Sequence, residues 1–168
     1  MPNAEDRFMS WLRDAHAMEE QAEQMLSSLA RRIDDYPELK SQIKSHLEVT
    51  RKQAERLRGC IDRRKSAPSA IKSTMARMLG VAQGLSGLFV GDEVVKGVLA
   101  CYTFEHMEIA SYKILIASAE KLGDSETKKV LEESLREEEE MAKWLEAHFG
   151  AVTQQYLDSS SRPEAAAE

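Results

Sequence analysis

The sequence is poor in the residues that are typical of loop-rich or cross-linked proteins. Its 168 residues include 8 glycines, 4 prolines and 2 cysteines, and only 6% are aromatic. So few glycines and prolines argue against an all-β protein with many turns and against a long disordered chain. Because two cysteines do not make a disulfide framework, we expect Cys60 and Cys101 to be buried thiols.

Long apolar runs, basic charge and common catalytic motifs are also lacking. No stretch approaches the roughly 20 apolar residues of a membrane-spanning helix, so no membrane is expected as a partner. The N-terminus lacks the basic start and apolar core of a secretory signal, which predicts a cytoplasmic protein. The net charge of −6 argues against nucleic acid, because phosphate binding needs a basic face. No Gly-x-Ser-x-Gly, Walker or dinucleotide-binding motif is present.

Four long stretches carry apolar residues at steps of three and four, the pattern of helices that bury one face. We predict helices over about 7–33, 37–65, 92–122 and 125–149. Pro37 separates the first pair, and Gly123 with Asp124 or Ser125 separates the second pair. Gly150 is predicted to end the fourth helix, before a short helix over 151–157 and a disordered tail over 158–168.

A connection of roughly thirty residues separates the two helix pairs and decides between two topologies. Its sequence predicts short, broken helices between about 66 and 91, because it contains several interior glycines. A crossover of this length lets the second and third helices lie parallel, whereas a simple up-and-down bundle needs only a short loop. The sequence therefore predicts an all-α, four-helix bundle in one domain, residues 1–157, with this partly helical crossover.

Polar side chains interrupt the apolar stripe of each helix near its middle. They are Glu19, His46, Glu105 and Glu138, and Glu108 lies one turn from Glu105 on the same helix. Any one of them alone is commonly a ridge residue that reaches solvent. Several carboxylates that meet inside a bundle repel one another unless protons or cations compensate. Arginine and lysine are scarce on these stripes, so a divalent metal, namely iron, manganese or zinc, is the natural counter-charge.

A metal-free alternative remains open at the sequence level. In it the bundle is a structural or interaction protein whose core carboxyl groups are protonated or hydrogen-bonded to neighbouring polar side chains. Those neighbours are Thr50, Gln53, Tyr102 and Tyr112. The segment 70–89 would then be either the crossover or a surface for a partner. His16, one turn before Glu19, is an additional candidate ligand on a neighbouring face, although such a histidine more often only donates a hydrogen bond.

Strings on all four predicted helices resemble the YciE/YciF group of bacterial stress-associated proteins, within the ferritin-like superfamily. They are DAHAMEEQ at 14–21, HLEVTRKQ at 46–53, EHMEIASY at 105–112 and LEESLREE at 131–138. The resemblance spans roughly residues 5–149. It implies a ferritin-like bundle, a homodimer, and a rubrerythrin-like dimetal centre that reacts with oxygen or peroxide.

The resemblance also implies which residues would be ligands. The Glu105-x-x-Glu108 pair is similar to the pair that rubrerythrins carry on this helix, and Glu19, His46 and Glu138 would complete the set. Ferritin-like oxidases usually carry Glu-x-x-His on the second and fourth helices. Here Arg51 follows Glu48 at that spacing and Met141 follows Glu138. The implied ligand set is therefore smaller than that of a working diiron oxidase.

Overall fold

The computed structural model describes residues 3–65 and 93–161. Within those residues the chain forms four α-helices and no strand, which confirms the all-α prediction. The helices are α1 (Ala4–Ala30), α2 (Pro37–Lys65), α3 (Glu93–Lys121) and α4 (Ser125–Ser160). The predicted crossover at 66–91 lies outside the described residues.

Local sequence explains where three of these helices begin. Asn3 accepts a hydrogen bond from the Asp6 backbone, and the Asp6 side chain accepts one from Asn3 N, so a capping box starts α1. Asp124 caps α4 by accepting from the backbone N–H of Thr127. Pro37 opens α2, where its missing N–H is not needed. Between α3 and α4, Gly123 has a φ of 70°, the left-handed conformation that favours glycine at a helix end.

The prediction that Gly150 ends the fourth helix is wrong. Helix α4 runs without interruption from Ser125 to Ser160, so residues 151–157 continue it and do not form a separate short helix. Val152 is buried in the core and keeps this extension attached to the bundle. The contact between Val152 and the core outweighs the low helix propensity of glycine, about 1 kcal/mol. Residues 158–160 of the predicted tail are therefore helical, and residues 162–168 lie outside the described part.

Two apolar clusters fill the bundle and fix the direction of each helix. The first joins the starts of α1 and α4 to the ends of α2 and α3, and includes Phe8, Leu12, Leu57, Cys60, Leu115, Ala119 and Leu131. The second joins the opposite ends, and includes Leu29, Ile33, Leu39, Ile43, Val94, Val98, Leu145 and Val152. Helices α2 and α3 are therefore parallel, and each is antiparallel to α1 and α4. This is the topology that a long connection between the two helix pairs permits.

Among residues 3–65 and 93–161, no helix has an apolar stretch long enough to cross a bilayer.

Candidate metal centre

Five ionisable side chains lie at the boundary between the two apolar clusters, and all four helices contribute. Each is at most 4% exposed: Glu19 on α1, His46 on α2, Glu105 and Glu108 on α3, and Glu138 on α4. Each occupies a core-facing position because it continues the apolar stripe of its helix at a step of three or four. The structure thus brings together all five residues that the sequence analysis selected. We call them the core polar cluster.

Three of these side chains place metal-ligand atoms very close together. His46 Nε2 lies 3.1 Å from Glu105 Oε2 and 3.2 Å from Glu138 Oε2. A ligand atom of each residue lies within 4.8 Å of the others. None of these three atoms makes a hydrogen bond of acceptable geometry with the described residues. An imidazole nitrogen and two carboxylate oxygens thus face one another without the alignment that a hydrogen-bonded cluster would show.

Unsatisfied polar atoms are concentrated in this cluster. Among the described residues, eight buried side-chain atoms have no hydrogen-bond partner. Six of the eight belong to the core polar cluster: Glu19 Oε2, His46 Nε2, Glu105 Oε2, Glu108 Oε1, Glu138 Oε1 and Glu138 Oε2. Buried polar atoms are normally hydrogen-bonded, and orphaned atoms call for an explanation such as an ion.

One carboxylate of the cluster has a clear protein partner. The Tyr112 hydroxyl donates a hydrogen bond of 2.5 Å to Glu19 Oε1. Tyr112 is fully buried on α3, one turn from Glu108. The bond fixes the Glu19 side chain across the α1–α3 contact and leaves Oε2 of Glu19 free to bind something else.

The electrostatics of the cluster favour the binding of protons or metal cations. Burial raises the pKa of Glu105 to about 8, although the neighbouring His46 opposes the rise. Burial and the facing Glu19 carboxylate raise the pKa of Glu108 well above its ordinary value. Burial alone would lower the pKa of His46, but Glu105 and Glu138 outweigh it and raise that pKa to about 10. Concentrated, poorly solvated negative charge causes each net shift.

The donor set fits a divalent transition metal. Carboxylate oxygens and an imidazole nitrogen together suit iron, manganese and zinc, whereas calcium and magnesium prefer oxygen ligands alone. The thiol of Cys101 lies one turn before Glu105, but it does not belong to the group whose ligand atoms lie within 4.8 Å of one another, so we do not count it as a ligand. Glu105, Glu138 and His46 form the group that could hold an ion, and Glu19 and Glu108 border it.

Other polar residues selected from the sequence lie elsewhere. His16 Nδ1 is 3.8 Å from Glu20 Oε2 and does not join the group that could hold an ion. Tyr102 packs edge-to-face against Phe149 and His106. Gln53 is buried as expected, but it donates to Glu137 and not to a core carboxylate.

The sequence analysis missed an interhelical network beside the cluster. Glu137 belongs to a run of four glutamates, 137–140, of which the sequence analysis selected only Glu138. In the structure Glu137 accepts hydrogen bonds from Arg56 and Gln53 of α2, so it joins α2 to α4. No periodic signal distinguishes Glu137 from its acidic neighbours, because it lies at the edge of the buried stripe.

With this geometry established, comparison with known proteins identifies the family. Residues 3–158 match the family described as a domain of unknown function, DUF892. This chain belongs to that family. The sequence is also 34% identical over 150 residues to Protein YciF of Escherichia coli K12, which covers 82% of this chain and 85% of the relative. The resemblance to the YciE/YciF group is thereby confirmed.

Solved structures of similar proteins share the fold. A crystal structure of a protein from Xanthomonas campestris pv. campestris matches with a TM-score of 0.78 and 36% identity, over 95% of this chain and 99% of that one. The E. coli stress protein YciF matches with a TM-score of 0.77 and 28% identity, over 92% and 99%. YcfI of Rhodopseudomonas palustris, provisionally described as a structural protein, matches with a TM-score of 0.72 and 29% identity, over 86% and 94%. These matches confirm the predicted helical bundle.

Proposed function

We propose that this DUF892 protein is a ferritin-like, stress-associated metal-binding protein whose core polar cluster binds divalent metal, with iron as the favoured ion. The observation that carries the proposal is the convergence of His46 Nε2, Glu105 Oε2 and Glu138 Oε2 in the bundle core without hydrogen bonds among them. A coordinated cation would satisfy all three atoms and offset the repulsion between the carboxylates.

Charge counting favours two ions. The cluster contains four carboxyl groups, which carry a charge of about −4 when ionised. Two divalent cations match that charge, whereas one leaves uncompensated carboxylates in a buried site. We infer that His46, Glu105 and Glu138 hold one ion, and that Glu19 and Glu108 help to hold the second.

The residues of the chain would prepare this site for redox chemistry. Bound iron would supply the electrons for reduction of oxygen or peroxide, the substrate class of this proposal. Tyr112 holds Glu19 in position, and the two apolar clusters keep bulk water from the ligands. A homodimer and a cytoplasmic location complete the proposal.

Metal analysis of isosteric variants tests the site. We expect protein purified without chelator to contain near-stoichiometric iron, manganese or zinc, measured by mass spectrometry. Glu105→Gln and Glu138→Gln should each reduce the content at least about tenfold, because each removes a charged ligand. Glu139→Gln is the matched control, since Glu139 is the exposed neighbour of Glu138 and pairs with Lys113 on the surface. Equal metal content in the core variants and the wild type would contradict the proposed ligands.

Particular contacts favour a second function, for which the metal analysis would give the opposite result. His46 can act as an internal cation between Glu105 and Glu138, and Tyr112 partly satisfies Glu19. With protons in place of metal, the protein would be an inert structural bundle, and YcfI is itself described as a structural protein. Wild-type protein that carries no metal and gains no thermal stability from added Fe²⁺, Mn²⁺ or Zn²⁺ would favour this role, because a ligand that binds the folded state raises the melting temperature.

A further inference from the structure

A polar network links the surface to the core along the seam between α2 and α4. It contains Arg56 and the α4 residues Glu133 and Glu137, with buried Gln53 and Ser134. We call it the Arg56 network. Its exposure falls with depth, from 53% for Glu133 through 22% for Arg56 to 0% for Gln53.

The guanidinium of Arg56 occupies the outer part of this network. It lies 2.7 Å from Glu133 Oε1, and it contacts both carboxylate oxygens of Glu137, at 2.6 and 3.1 Å. The contact with Glu137 is therefore bidentate, the strongest arrangement for this pair. In this state the single positive charge of Arg56 offsets about half of the negative charge of the two glutamates, and it occupies both oxygens of Glu137.

The inner end of the network contains an oxygen atom without a partner. Gln53 Nε2 donates 3.0 Å to Glu137 Oε2, which fixes the orientation of the amide because the carboxylate can only accept. Gln53 Oε1 is fully buried and has no hydrogen-bond partner among residues 3–65 and 93–161. Divalent cations bind both carbonyl and carboxylate oxygens, and the Gln53 carbonyl lies beside the Glu137 carboxylate.

The same seam leads to the core polar cluster. Gln53 and His46 lie two turns apart on α2, and Glu137 precedes Glu138 on α4. Arg56 also interacts electrostatically with Tyr112, whose hydroxyl binds Glu19. The network thus shares helices α2 and α4 with two ligands of the proposed metal centre, His46 and Glu138.

We propose that the Arg56 network is the entry site for divalent cations, in which Glu133, Glu137 and Gln53 Oε1 bind the incoming ion transiently and Arg56 holds the entrance closed. The ion displaces the guanidinium from Glu137, passes the Gln53 carbonyl and is transferred to Glu138 and His46. This inference rests on the proposed function, because it assumes that the core polar cluster takes up metal.

Two variants that break the same ion pair separate this role from simple packing. Arg56→Gln leaves Glu133 and Glu137 uncompensated and should speed metal uptake about threefold or more, as expected for electrostatic attraction at an entrance. Glu137→Gln removes a binding oxygen and leaves Arg56 in place, so it should slow uptake by a similar factor. If the pair only joined α2 to α4, both variants would change the uptake rate in the same direction.

Stopped-flow mixing of metal-free protein with Co²⁺ measures the rate, and the ligand-field absorption of bound Co²⁺ reports uptake at the core. Equilibrium Co²⁺ affinity, measured on the same samples, should change less than the rates do. Arg51→Gln is the matched control, because Arg51 lies on the same helix as Arg56 and pairs at the surface with Glu23 of α1 and Glu48 of α2. Arg56→Lys keeps the positive charge and should retain slow uptake.

Three results would overturn the inference. The first is equal uptake rates in Arg56→Gln, Glu137→Gln and the wild type, with Co²⁺ bound normally. The second is an Ile61→Val variant that speeds uptake as much as Arg56→Gln does. Ile61→Val loosens the buried core without altering charge, so faster uptake would then come from loosened packing. The third is a wild-type protein that binds no Co²⁺, and only this result would also overturn the proposed metal centre.

Discussion

At the scale of single residues, the bundle core contains buried ionisable side chains, which are stable there only if protons, cations or neighbouring side chains offset their charges. A buried carboxylate without a partner is costly, and four carboxyl groups share the core polar cluster with one imidazole here. Glu19 is the member with a hydrogen-bond donor, Tyr112. A small substitution at Tyr112 can therefore measure how much this hydrogen bond contributes to the stability of the core.

We expect Tyr112→Phe to lower the free energy of unfolding of metal-free protein by about 1–3 kcal/mol, because it leaves a buried oxygen without its donor. Urea denaturation with EDTA present measures this change. A double-mutant cycle with Glu19→Leu, which removes both acceptor oxygens, isolates the pair, and its coupling energy should exceed about 0.5 kcal/mol. A cost that is the same with and without the Glu19 substitution would assign the loss to packing of the ring alone.

The residues of the site were predictable because the helical period places them. Glu19, His46, Glu105 and Glu138 each replace one member of an apolar stripe, and a stripe of that period faces the core. Their contacts were not predictable, because the rotation and height of each helix depend on packing. Glu137 shows this limit: only the structure reveals that it contacts Arg56 and Gln53 of another helix.

At the scale of helices, termini depend on tertiary contacts as well as on local signals. Gly123 and Gly150 both looked like helix ends in the sequence, yet only Gly123 has a positive φ. Gly150 lies inside α4, exposed and with open space around its α-carbon. The position and parallel direction of the long helices were predictable from period and connection length. The extension of α4 was not, because it depends on the contact of Val152 with the core.

The two glycines should respond to alanine in opposite directions. Gly150→Ala should raise the free energy of unfolding by about 0.5–1 kcal/mol, since alanine favours the helix and meets no neighbour. Gly123→Ala should lower it by about 1–2 kcal/mol, because its φ of 70° strains any residue with a Cβ. Thermal and urea unfolding of both variants measure these changes. Destabilisation by Gly150→Ala would contradict the continuous α4.

At the scale of the whole molecule, stability is linked to the protons that the core polar cluster holds. Folding raises the pKa of Glu105 to about 8 and that of His46 to about 10, from ordinary values of 4.5 and 6.5. Groups with a raised pKa contribute stability that is complete below their unfolded pKa and is lost as pH rises through the folded pKa. The sign is the same for both residues, whichever of them keeps a given proton.

Metal-free protein should therefore become less stable as pH rises from about 5 to 10. Metal binding competes with those protons, so the stabilisation by added Zn²⁺ or Mn²⁺ should increase over the same range. Urea denaturation at several pH values, with EDTA or with metal, measures both trends. His16→Gln and His148→Gln should keep the slope, because both histidines lie outside the core polar cluster, beside the surface glutamates Glu20 and Glu38. A metal-free protein whose stability rises over this range would refute the linkage.

The parallel arrangement of α2 and α3 divides the ligands between two halves of the chain. The α1–α2 hairpin contributes Glu19 and His46, and the α3–α4 hairpin contributes Glu105, Glu108 and Glu138. Neither hairpin alone possesses a complete site, and each taken separately would expose its apolar face to water. Two molecules that exchanged hairpins would regenerate the same constellation of side chains twice. A bound ion would then be coordinated by both hairpins and hold them together. Reassembly of a chain cut between residues 65 and 93 would therefore depend on the ion.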